Sequence, residues 1–185
     1  MKKLFAPILF TLALCLLLPA SHAQEKKARV SPHEAVKANV DGNEMSVVYG
    51  RPYTKDPKTG EKRKIWGTLV PFGKPWRLGA DEATLLTTQQ PIILGGKSIP
   101  AGTYSLFMMP TTDKAGTLIV NKQTGQWGTK YDEKQDLVRV DMKGEPASPA
   151  NDQLMIAIDK NPAGGGTLKV TWDNVEYLVD FKVGA

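Results

Sequence analysis

Residues 36–49, VKANVDGNEMSVVY, decide the fold class. Asp41-Gly42 separates two segments in which apolar and polar residues alternate, and both residues tolerate the positive φ that a two-residue hairpin loop demands. Such a loop sets Ala38 opposite Met45 and Val36 opposite Val47, leaving one apolar face. Toward the C-terminus the same period of two recurs at 83–88, 91–94, 97–99, 103–109, 117–121, 137–142 and 154–158. Turn-rich segments at 122–128, 144–152 and 161–166 separate the later strands. In 103–109, Leu106 and Met108 face one way and Phe107 and Met109 the other, so this strand belongs in the middle of a sheet. Residues 154–158 read as a second strand buried on both faces. At the end of the chain, Asp173-Asn174 as a two-residue turn pairs Trp172 with Val175, Val170 with Tyr177 and Leu168 with Val179. Those six side chains share a face, and Lys169, Thr171, Glu176 and Asp180 take the other.

No segment after residue 23 carries a 3.6-residue apolar stripe. Ser31-Pro32-His33-Glu34 offers at most one helical turn, with Ser31 as N-cap and Glu34 completing a capping box. The predicted fold is therefore all-β, a single-domain antiparallel β-sandwich of jelly-roll-like or immunoglobulin-like topology with little helix. The run Gly164-Gly165-Gly166 reads as a flexible turn, since no helix follows it to cradle a phosphate.

Residues 1–23 combine Lys2 and Lys3, an apolar run and small residues at Ser21 and Ala23, the layout of a signal peptide cleaved after Ala23. Export to the periplasm or beyond is the implied address, with 24–30 as a mobile tail and 24–185 as the domain. Cleavage removes Cys15, the one cysteine, and His22, which leaves His33 as the sole histidine. Thiol chemistry, thiolate metal sites and disulfides are thereby excluded. No later run is long and apolar enough to insert in a membrane as a helix. The net charge of +5 falls once Lys2 and Lys3 are gone, too mild a balance for nucleic acid. The basic segment 51–64 reads as an exposed loop with solvated charge, and only Tyr53 interleaves its cations.

Chemistry concentrates in 65–84, IWGTLVPFGKPWRLGADEAT. Tyr49-Gly50-Arg51-Pro52, Ile65-Trp66-Gly67, Leu69 through Gly73, Trp76 through Thr84, Ile99 through Leu106 and Trp127-Gly128 together resemble a family of secreted bacterial proteins, the domain of unknown function numbered twenty-nine-eleven. The similarity spans nearly all of the chain after the leader. Two departures stand out: the loop 55–64 is longer than the family's short link, and Asp81-Glu82 stands where Asn-Glu is the pattern. The resemblance implies an exported β-rich domain and supplies no activity.

The residues themselves set the candidates. Arg51, Trp66, Trp76, Arg77, Asp81 and Glu82 form the predicted ligand-binding cluster, suited to a carbohydrate or other small envelope ligand, because an aromatic face flanked by Arg and carboxylates fits a sugar ring. Aromatics beside Gly and Pro also plug the end of a core, and Phe72 shares that ambiguity. Asp81 and Glu82 are the only catalytic candidates, though neighbours on a strand point to opposite faces. Their structural role is to pair with Arg77 or Arg51 or to accept backbone hydrogen bonds. His33 alone makes a weak case for acid-base work or zinc, and 131–136 reads as a solvated turn rather than a calcium loop. No metal and no cofactor are expected. The resulting prediction is a non-catalytic binding or structural module of the cell envelope. The alternative is a cofactor-free hydrolase or lyase that attacks an envelope or extracellular polymer through Asp81 or Glu82.

Overall fold

The computed structural model describes residues 29–184. Nine antiparallel strands account for most of them: β1 (His33–Val40), β2 (Asn43–Gly50), β3 (Ala80–Thr88), β4 (Ile92–Leu94), β5 (Lys97–Ile99), β6 (Gly102–Pro110), β7 (Gly116–Asn121), β8 (Asp136–Lys160) and β9 (Gly166–Val183). A single 3-10 turn, Glu133–Gln135, precedes β8. The fold is all-β. The predicted signal peptide lies outside the described residues.

Asp41 and Gly42 take φ of 48° and 81°, so the first hairpin closes as its dipeptide requires. Its register pairs Val36 with Val47 and Ala38 with Met45. One sheet holds all nine strands in the order β1-β2-β3-β6-β7-β8-β9-β4-β5. The strand expected in the middle, β6, lies between β3 and β7. Leu106 and Met108 enter the main core, and Phe107 joins Ala83 and Ile119 in a smaller cluster on the opposite face.

The layers of the predicted sandwich are not separate sheets, because β8 pairs with β7 through residues 136–142 and with β9 at 143–146, 151 and 155–160. The sheet instead curls back on itself. Thr54 N–H donates to Asp152 O (2.6 Å), Leu154 N–H to Pro52 O (3.0 Å) and Ile156 N–H to the Tyr49 hydroxyl (2.9 Å). These bonds join the segment leaving β2 to β8, four places away in the strand order. One apolar interior results, with Val47, Leu86, Leu106, Ile156, Trp172 and Phe181 drawn from five strands. Each such large side chain contributes roughly 1.5–3 kcal/mol by leaving water.

Four local expectations are corrected. Asp173-Asn174 is not a turn: β9 runs through it, Leu168 pairs with Ile158, and Tyr177 pairs with Gly144. Residues 144–152 are likewise part of β8, which bulges there. Residues 31–34 form no helical turn; β1 begins at His33 and Pro32 O accepts from Arg51 N–H. Met155 is exposed, so β8 has one wet face at 154–158.

Candidate functional site

The stretch 65–84 is short of regular structure but dense in backbone bonds. Val70 N–H closes a turn on Ile65 O (2.9 Å), and Gly73 N–H reaches Pro110 O (2.9 Å). Trp76 exchanges both backbone bonds with Met108 at 2.8 Å, which stitches the segment to β6. Beyond it, Thr84 holds the returning chain by its N–H on Arg77 O and its hydroxyl on Leu78 O. The segment 126–128 binds the other side, with Gly128 N–H on Asp81 O (2.9 Å) and Ala83 N–H on Gln126 O (3.2 Å).

The tryptophans divide between core and site. Trp76 stacks on Trp172 with ring centroids 5.7 Å apart, and Trp66 meets Trp76, Trp172 and Tyr177 edge-on. Trp66 Nε1 donates to Trp172 O (3.3 Å), so Trp66 is used as a plug of the core. Phe72 and Trp127 stay partly exposed, Trp127 alongside Glu82.

Against this aromatic wall lies a cavity of about 250 Å³, lined among others by Arg63, Val70, Trp76, Arg77, Asp81 and Trp172. Among the described residues, four buried side-chain polar atoms lack a hydrogen-bond partner, and three belong to residues lining this cavity: Arg63 Nε, Arg77 Nε and Trp172 Nε1. All three are N–H donors, and a buried donor without an acceptor costs about 1–3 kcal/mol. Burial pushes the Arg77 pKa down, with the Asp81 charge pulling the other way. The Arg77 stem lies flat on Gly128, where an added methyl would overlap its Cβ, Cγ and Cδ.

The acids are engaged differently from the sequence expectation. Asp81 takes φ 65°, so Asp81 and Glu82 do not diverge as strand neighbours do. Both approach His33, whose Nε2 lies 3.3 Å from Asp81 Oδ2 and 3.6 Å from Glu82 Oε2. Their cation is Arg29 rather than Arg77 or Arg51. Arg29 Nη2 donates to Glu82 Oε1 (2.7 Å), Nη1 donates to Glu82 Oε2, and Nη1 stands 2.7 Å from His33 Nε2. These charge-assisted bonds hold the Glu82 carboxyl down at about 2, against the opposing effect of desolvation. Arg51 is spent elsewhere, ion-paired with Glu34 (2.6 Å) and donating through Nε to Leu154 O (3.0 Å).

Of the six predicted ligand residues, Trp76, Arg77 and Asp81 therefore meet at the cavity, Glu82 stands beside Asp81, and Arg51 and Trp66 are structural. Sequence reasoning missed Arg63, hidden in a segment read as exposed loop; Trp172 is core, as its pattern predicts, and one edge of it also borders the cavity. Sequence reasoning also missed Arg29, assigned to a mobile tail. The residues 131–136 do form a capped turn: Asp136 is held by Arg139, Tyr131 and Asn121.

No curated protein matches the chain, and neither does any solved structure. The family described as a protein of unknown function, DUF2911, matches residues 31–181, which contain eight of the nine strands and all of β9 but its last two residues, and the chain belongs to that family.

Proposed function

We propose that this protein is a non-catalytic binding module whose ligand is small, rich in hydrogen-bond acceptors and negatively charged, with acidic monosaccharides the best-fitting class. One observation carries the reading: three buried N–H donors without acceptors belong to residues around a single cavity. A carboxylate or phosphate supplies the missing acceptors, and the guanidinium geometry of Arg77 and Arg63 suits planar oxyanions. The stacked indoles of Trp76 and Trp172 offer an apolar wall for a sugar ring. At about 250 Å³ the space suits one ring rather than a polymer chain. The leader-like residues 1–23 support an address in the periplasm or outside the cell, where such sugars occur on envelope polymers.

The catalytic alternative is less well supported. A carboxyl held near 2 is ionised at neutral pH, so Glu82 has no proton to donate and is a weak base. The test is a thermal-shift and calorimetric panel of glucuronate, galacturonate, glucose 6-phosphate, succinate and neutral glucose. The expected result is saturable binding of an acidic member that weakens at least roughly tenfold in Arg77→Met and in Arg63→Met. Acidic ligands that fail to bind, or that bind both variants as well as the parent, overturn the reading.

A further inference from the structure

We infer that His33, Asp81 and Glu82 form a binding site for a divalent transition-metal ion of the zinc class, in which Arg29 is a displaceable occupant. One ligand atom from each residue can be chosen so that all lie within 4.8 Å of one another. The His33 Nε2 to carboxylate distances, 3.3 and 3.6 Å, match the edge of a tetrahedron with metal bonds of 2.0–2.1 Å, about 3.3–3.4 Å. Imidazole nitrogen with two carboxylates is a donor set that such ions accept.

A second observation concerns the contacts the cluster makes now. Arg29 Nη1 lies 2.7 Å from His33 Nε2 and 3.4 Å from its Nδ1, so the guanidinium rests against the ring and leaves the in-plane direction of Nε2 to the carboxylates. The carboxylate oxygen of Asp81 lies 3.3 Å from the same Nε2 and can only accept, so that contact requires a proton there. A metal ion satisfies all three groups together, because each then turns an electron pair toward one cation and the guanidinium leaves. The site is also built rather than incidental. His33 lies at the start of β1 and its Nε2 packs over Gly50, where a Cβ would stand at 3.1 Å, while the left-handed Asp81 turns two consecutive acids to one side.

Three protein ligands leave a tetrahedral ion one position for water or a ligand atom. Asp81 also lines the cavity, which puts that ion at its rim. The metal site does not depend on the identity of the cavity's ligand.

The experiment is isothermal titration of the untagged, chelator-treated protein with zinc chloride, and separately with manganese and calcium chlorides, alongside circular dichroism. One zinc per chain is expected, with affinity at least roughly tenfold lower in His33→Gln and in Glu82→Gln. Arg29→Ala is expected to bind zinc severalfold tighter, since the competing cation is gone. That gain separates metal binding from a merely structural cluster, in which removing Arg29 has no reason to improve anything. Absence of stoichiometric zinc binding, or binding indifferent to all three substitutions in folded variants, overturns the proposal. Arg77→Met, which weakens the acidic sugars, still binds one zinc per chain, so failure of the sugar-binding reading and failure of this one are read from different measurements.

Discussion

Gly128 shows how one missing methyl places a charge. The Arg77 stem occupies the space where a Cβ would stand, and Gly128 N–H anchors on Asp81 O, so neither partner can retreat without breaking the segment. Gly128→Ala is expected to lose roughly 1–3 kcal/mol in urea unfolding, as overpacking does, and to displace Arg77 from the cavity wall. A variant as stable as the parent would show that Arg77 has another way to lie. Glu82 gives a second prediction at this scale. Its folded pKa of about 2 is depressed below the ordinary 4.5, so its contribution is complete above about 4.5 and is lost as pH falls through about 2. Glu82→Gln, compared with the parent in chelator, is expected to be less stable at pH 6 by under ~1 kcal/mol, because the pair is partly exposed. The difference should vanish near pH 2, as read from urea curves at stepped pH. Neither effect is written in the local sequence. Adjacent acids on a strand diverge, and only the left-handed backbone at Asp81, which Asp tolerates better than most residues, brings them together over a histidine 48 residues away.

Among the elements, β9 is the most instructive. Leu168, Val170 and Trp172 fall on even positions and Val175, Tyr177 and Val179 on odd ones, yet all six are buried. A change of parity without a change of face needs an irregularity at 173–174. A hairpin turn and a bulge both supply it, which is why the sequence predicted the right face from the wrong element. The structure uses a bulge, with Asp173 at φ 51° opposite a shifted register in β8. Deleting Asn174 therefore restores strict alternation and turns Val175, Tyr177, Val179 and Phe181 toward water. That deletion is expected to abolish cooperative unfolding and near-ultraviolet dichroism, whereas Asp173→Gly, which keeps the bulge, remains folded. A folded deletion variant with a parent-like melting temperature would contradict the bulge account. By contrast the hairpin of β1 and β2 was legible to the residue, because Asp41-Gly42 specifies its own turn and its partners are neighbours in sequence.

At the scale of the whole molecule, the question is what converts a nine-stranded ribbon into a closed core. Residues 51–54 do it, and they were the least legible part of the fold. Prolines and cations mark the segment as loop, while its bonding partner, Leu154, is 103 residues away from Arg51. Pro52 and Thr54 are nevertheless buried, and the strap's backbone bonds to β8 carry the sheet over its own interior. Tyr49 completes the closure from within. Its ring is in the core, burial pushes its hydroxyl pKa up, and its oxygen accepts from Ile156 N–H at 2.9 Å. Tyr49→Phe keeps the ring and removes the hydroxyl, ending its long donation to Glu34 Oε2 (3.4 Å) and leaving the buried Ile156 N–H unsatisfied at a cost of about 1–3 kcal/mol. If the curl depends on this bond, the loss appears in urea unfolding together with faster hydrogen exchange at the Ile156 amide. Exchange in the β1–β2 hairpin, whose bonds are local, should be affected only through global opening. Unchanged exchange at Ile156 would mean that the strap at 51–54 alone holds the two ends of the sheet together.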